Sequence, residues 1–103
     1  MRIALISFFL AFTVVSCSKF NKVMKSNDYD YKLRMADAYY LKKDYNHAQQ
    51  LYEELFPIYK ATPQFEDIFY KFAYCSYYLK DYMQAENLFK QFVEVFPNST
   101  RAE

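Results

Sequence analysis

The sequence predicts an all-α chain, a stack of helical hairpins holding about two repeats plus the start of a third, after a cleavable lipoprotein signal peptide. Three observations predict it. No glycine occurs in 103 residues, which disfavours β-hairpins, phosphate-cradling loops and nucleotide-binding turns, since all of these use positive φ or close backbone approach. Sliding the chain against itself by 37 residues superposes Lys43-Asp44-Tyr45-x-x-Ala48-x-x-Leu51-Tyr52 on Lys80-Asp81-Tyr82-x-x-Ala85-x-x-Leu88-Phe89. The match extends upstream through Ala36 with Ala73 and Tyr40 with Tyr77, and downstream through Leu55 with Phe92 and Tyr59 with Phe96. In both copies the apolar residues fall at intervals of 0, 3, 4 and 7, which is one face of an α-helix.

The N-terminal element is not part of the stack. Arg2 gives a short positive region, Ile3 to Val15 is almost wholly apolar, and Val14-Val15-Ser16-Cys17 resembles a lipobox. The apolar run is shorter than the roughly 20 residues a membrane span needs and stops at Ser18-Lys19. Residues 1–16 are therefore expected to be a signal peptide, and Cys17 the lipidated first residue of the mature chain. Three acyl chains on such a cysteine hold a protein to a membrane, where a single chain anchors it only marginally. Ser18 in place of aspartate leaves the inner-membrane retention signal absent and favours the outer membrane. Residues 17–27 are expected to be a tether. Its Lys19, Lys22 and Lys25 either lie against anionic headgroups or serve a soluble spacer.

Residues 28–103 form the expected repeat domain. A first helix, A, is predicted from about Asp28 to Lys42 and again from about Pro63 to Leu79. The second helix, B, follows each Lys-Asp-Tyr, with Asp44 and Asp81 as its N-caps and Asp81 with Gln84 as a capping box. Thr62-Pro63 offers an N-cap and a first-turn proline for the second helix A. The chain turns from A to B at Lys43 and Lys80, where glycine is usual, so positive φ is predicted at both lysines. Phe96-Pro97-Asn98-Ser99 ends the second unit, and Thr100 with Glu103 offers the capping box of a third helix A. The domain is on this account expected to be incomplete at its C-terminus, with Phe92, Val93 and Phe96 uncovered.

This pattern resembles the tetratricopeptide repeat, a helix-turn-helix unit of about 34 residues that stacks into a solenoid. Counting from Tyr29, the signature positions hold Ala36, Tyr39, Tyr45, Ala48, Tyr52 and Leu55. Counting from Glu66 they hold Phe69, Phe72, Ala73, Tyr82, Ala85, Phe89, Phe92 and Pro97. The second copy fits better, because Lys32 stands where the first should have a large apolar residue and Lys60 where it should have proline.

Composition narrows the function. Without residues 1–16 the chain carries 12 basic and 12 acidic residues, so it lacks the clustered basic face of a nucleic-acid binder. With Cys17 taken by lipid, Cys75 is unpaired and expected to be a small buried hydrophobe. His47 is the only histidine, no cluster has metal-ligand spacing, and no nucleophile, base and orienting group coincide. Catalytic residues, metal and cofactor are all entered as none. The 12 tyrosines and absent tryptophan leave core and contact surface alike to single-ring aromatics.

The order of lipobox, short basic-aromatic stretch and repeats reading AQQLYEEL and FPNS resembles the BamD family of outer-membrane lipoproteins, which serve the β-barrel assembly machinery. The resemblance covers residues 17–103, only the first two of about five repeats in that family, and departs from its usual Lys-Gly-Asp-Tyr turn. It implies a non-catalytic adaptor on the outer membrane, facing the periplasm, whose partners are the barrel-assembly proteins and unfolded barrel substrates. The concave positions of such repeats transfer to Asp30, Leu33, Asp37 and Tyr40 in the first copy, and to Asp67, Tyr70, Tyr74 and Tyr77, with Tyr78 beside them, in the second. Tyrosines in a groove suit an extended peptide, although tyrosines at helical spacing also serve simply as packing. Two alternatives stay open. A SusD-like lipoprotein captures glycans on a similar scaffold, though with tryptophan platforms and a much longer chain; other envelope scaffolds use the same repeat, often without a lipobox.

Overall fold

The computed structural model describes residues 19–102, the side chain of residue 102 excepted, so the lipobox, Cys17 and Glu103 lie outside the described residues. The described chain is helical throughout: α1 over residues 19–25, α2 Tyr29–Leu41, α3 Tyr45–Leu55, α4 Phe65–Tyr78, α5 Tyr82–Val95, and a 3-10 turn Thr100–Ala102. None of the described helices is long and apolar enough to cross a membrane. Helices α2 and α3 pair as one hairpin, α4 and α5 as a second, and α3 packs on α4 to join them.

The ends of these helices follow from local chemistry. Asp28, Asp44 and Asp81 each accept a hydrogen bond from the backbone three residues on, at Tyr31 (3.1 Å), His47 (3.4 Å) and Gln84 (3.2 Å). Each satisfies one of the donors that a helix start leaves unpaired. Lys43 and Lys80 take φ of 66° and 68°, as predicted. At both sites the lysine N–H bonds to Tyr40 or Tyr77 and the next aspartate N–H reaches back to Tyr39 or Ser76, all at 2.9 to 3.0 Å. This double closure is the Schellman motif, built here without the usual glycine. One lysine and one N-capping aspartate therefore complete each interhelical turn.

The second helix A starts differently from expectation. Thr62 does not cap it: its hydroxyl donates to the Tyr59 carbonyl at 2.7 Å. Gln64 stands at the N-cap with helical φ and ψ and no side-chain bond. Glu66 and Asp67 in the first turn place negative charge at the helix's positive end instead. At the third expected start, Ser99 and not Thr100 accepts from the Arg101 N–H, at 3.1 Å.

Two joined clusters form the interior. The first gathers Val23, Leu51, Tyr52, Leu55, Ile68 and Cys75, all buried, and the second gathers Phe65, Phe69 and Phe92. Ala36, Ala48, Ala73 and Ala85 are buried as well, and their small side chains let helix backbones approach. Phe92, expected to lack cover, is buried beneath Phe69 and Tyr70 at 5.7 Å and Phe96 at 5.1 Å. Val93 does remain exposed.

Part of the expected tether is structured. Helix α1 buries Phe20 and Val23 in the first cluster and stacks Phe20 on His47 at 4.0 Å, with its lysines exposed. It covers Lys32 and Tyr39 of α2. One repeat later, α3 covers the corresponding residues of α4, Phe69 and Ser76. Helix α1 thus stands where a preceding helix B would stand and closes that end of the stack. Lys32, at a position that normally holds an apolar residue, is buried: its ammonium donates to the Met24 carbonyl at 2.7 Å and pairs with Glu54.

Burial also sets the alkaline limit of this fold. The Cys75 thiol is pushed up to about 12 by burial. Tyr52 is raised by burial and then by its hydrogen bond to Asp37, and Tyr40 by burial and then by Tyr78. In the unfolded chain the thiol ionises near pH 8.5 and the phenols near 10. The folded chain keeps these protons longer, so its stability is full below about pH 8.5 and falls as pH rises toward 12. Melting temperatures from pH 7 to 11 should decline above pH 9; a flat profile would contradict this account.

Candidate partner-binding surface

The four first-repeat candidates are occupied within the chain. Asp30 accepts from the Tyr59 hydroxyl at 3.1 Å, and Leu33 lies half-buried against the first cluster. Asp37 accepts from the buried Tyr52 hydroxyl at 2.5 Å and from Lys71 at 3.2 Å. Tyr40 packs edge-on to Tyr45 and Tyr52, with the Lys71 ammonium 5.8 Å from its ring centre. Burial pulls Lys71 toward its neutral form, but Asp67 and Asp37 outweigh it and hold its pKa above the ordinary lysine value. This ammonium joins the two repeats electrostatically, since Asp37 belongs to α2 and Asp67 to α4.

The second-repeat candidates are arranged otherwise. Asp67 pairs with Lys71 at 2.9 Å and with Arg101 at 3.3 Å, and the Arg101 guanidinium lies 4.6 Å from the centre of the Tyr70 ring. Tyr70, Tyr74, Tyr77 and Tyr78 then form a continuous aromatic run along α4, with successive ring centres 4.8 to 6.2 Å apart. Helical periodicity alone places Tyr70, Tyr74 and Tyr77 on one face. Tyr78 departs from it to stack on Tyr45 at 4.5 Å and 17°, tying the run to the first hairpin. Tyr77 is 48% exposed and Tyr78 46%.

Two open hollows border this run. One, of about 610 Å³, lies between Tyr74, Tyr77 and Tyr78 of α4 and Tyr82, Glu86 and Phe89 of α5. The other, of about 430 Å³, shares Tyr74 and Phe89 and continues past Val93 to Arg101. Tyr82, Phe89 and Arg101 were not among the sequence candidates. The 37-residue repeat carried the signal for Tyr82, since it aligns with Tyr45; Arg101 has no counterpart in that pattern. The surface offers ring edges, phenol hydroxyls and one guanidinium, a set suited to main-chain groups and apolar side chains of another polypeptide.

Residues with reactive side chains are held elsewhere. Cys75 and Ser76 are both buried, and Ser76 accepts from Gln49 at 3.0 Å. His47 is engaged by Asp44 at 2.8 Å and by Phe20.

A family model described as tetratricopeptide repeat matches residues 67–99, from the first turn of α4 to just beyond α5. The chain therefore carries a repeat of this type, and its fold is a helical-hairpin repeat. The match falls on the copy whose signature positions are apolar, not on the one carrying Lys32. Comparison with curated proteins and with solved structures gives no match. Repeats of this type expose extended surfaces to other proteins; fold and surface together define a protein-interaction scaffold.

Proposed function

We propose that this chain is a non-catalytic adaptor lipoprotein of outer-membrane β-barrel assembly. In this reading it is acylated at Cys17, held to the outer membrane facing the periplasm, and presents the α4 tyrosines to unfolded barrel substrates or partner proteins of the assembly machinery. The open tyrosine run from Tyr70 to Tyr78 carries the proposal, because rigid rings contribute apolar contact with few rotors to freeze while their hydroxyls meet main-chain groups. The lipobox and the phrases AQQLYEEL and FPNS support the placement on the envelope.

The test is binding of a peptide from the C-terminal strand of a barrel protein, read by fluorescence anisotropy. Tyr74→Ala and Tyr77→Ala are each expected to weaken it about tenfold, as aromatic contacts at the centre of an interface do. Unchanged affinity in both variants refutes the groove. Mass spectrometry of the mature chain, with Cys17→Ser as control, tests the anchor separately.

A further inference from the structure

The internal repeat identifies a second interaction surface, because it shows what covers the equivalent surface one unit earlier. On α3, three side chains meet α4: Tyr45 stacks on Tyr78 at 4.5 Å, Gln49 donates to Ser76 at 3.0 Å, and Phe56 is surrounded by Phe65, Phe69 and Phe72 at 4.7 to 5.7 Å. Advancing each by 37 residues gives Tyr82, Glu86 and Val93 of α5. All three are exposed, Tyr82 at 58% and Val93 at 44%, and the two hollows run beside them. The opposite end of the stack is closed by α1, so the two ends differ. One is capped and the other presents a bare copy of a packing surface.

We propose that the α5 line of Tyr82, Glu86 and Val93 docks an amphipathic α-helix from a partner polypeptide, lying across α5 as α4 lies across α3. The chemistry of that helix follows from the substitutions between the copies. Its stripe carries aromatic residues at the places of Phe65, Phe69 and Phe72, as α4 does. Val93 is smaller than Phe56 and leaves room for larger rings there. At the place of Ser76 it carries a basic side chain, because Glu86 offers a carboxylate where Gln49 offers an amide. Lys71 has no counterpart to find, since Tyr74 replaces its partner Asp37. This inference does not rest on the barrel-assembly reading: Glu86 and Val93 lie outside the residues assigned to an extended peptide.

The nearest available probe is α4 itself, as a peptide of residues 63–79 added in trans. Isolated helices of this length are marginal in water. A lactam between Asp67 and Lys71, already an ion pair in the chain and off the docking stripe, fixes the helix. Saturable binding to the intact protein is expected, weakened at least about tenfold by Val93→Asp, since an unpaired carboxylate enters an apolar contact. A peptide carrying Ser76→Lys should bind the parent several-fold more tightly and the Glu86→Lys variant more weakly, with the difference shrinking at high salt. Val93 and Glu86 are exposed, so both variants should fold, which circular dichroism checks. Absence of binding to folded protein, or binding indifferent to both substitutions, overturns the proposal. So does a dimer in sedimentation that Val93→Asp dissolves, because the surface then belongs to a second copy. Tyr74→Ala losing the strand peptide while the helix peptide still binds separates this proposal from the groove.

Discussion

Replacing Lys32 with leucine is expected to destabilise the protein by about 2 kcal/mol, although leucine is what the repeat pattern favours at that position. Lys32 is 2% exposed, and its ammonium is the recorded donor to the Met24 carbonyl and to Glu54. Removing it leaves the carbonyl and the carboxylate without that donor. Glu54 already holds one buried oxygen, Oε2, with no partner among the described residues. Its side chain is 34% exposed, so water relieves part of the penalty, which keeps the expected loss below the 3–5 kcal/mol typical of a fully buried pair. The double variant Lys32→Leu with Glu54→Leu should return to within about 1 kcal/mol of the parent, because both charges leave together. Urea unfolding at constant m value reads both effects. Hydrogen exchange in α1 should rise in the single variant, since the Met24 contact goes with the lysine. A single variant as stable as the parent would show that the buried pair contributes nothing.

Replacing Lys43 and Lys80 with glycine is expected to do the opposite. A side chain at φ of 66° and 68° brings Cβ against the following carbonyl and costs about 1–2 kcal/mol. Glycine removes that clash but returns some entropy to the unfolded chain, roughly 0.5–1 kcal/mol. The net gain is about 0.5–1 kcal/mol at each site and about 1–2 for the pair. For a domain of this size that raises Tm by several degrees. The Schellman hydrogen bonds use only backbone atoms, so they survive the change. Lys43→Ala with Lys80→Ala keeps the clash and should gain nothing. If the glycine pair melts no later than the alanine pair, the strain assigned to these turns is absent.

These lysine turns were legible because the evidence for them is local: a one-residue link between two helical patterns must turn sharply, and without glycine some other residue must take positive φ. The N-caps at Asp44 and Asp81 were legible for the same reason. Thr62 misled because hydroxyl and proline are a good local cap only if the helix begins there, and its hydroxyl instead found the Tyr59 carbonyl. The candidate surface was half legible. Spacing placed Tyr70, Tyr74 and Tyr77 together, but gave no sign that Asp37 and Tyr40 are occupied by Lys71, which lies 34 and 31 residues away.

The sequence by itself determined the helical hairpins, their caps and their repeat, because those depend on contacts within a few residues and on a periodicity visible in one dimension. Only the tertiary structure decided that α1 closes the first end of the stack, that Lys32 is tolerated in the interior, and that Tyr82, Glu86 and Val93 stay open at the other. Each of these depends on which side chains meet across helices, and neither spacing nor composition specifies the partner.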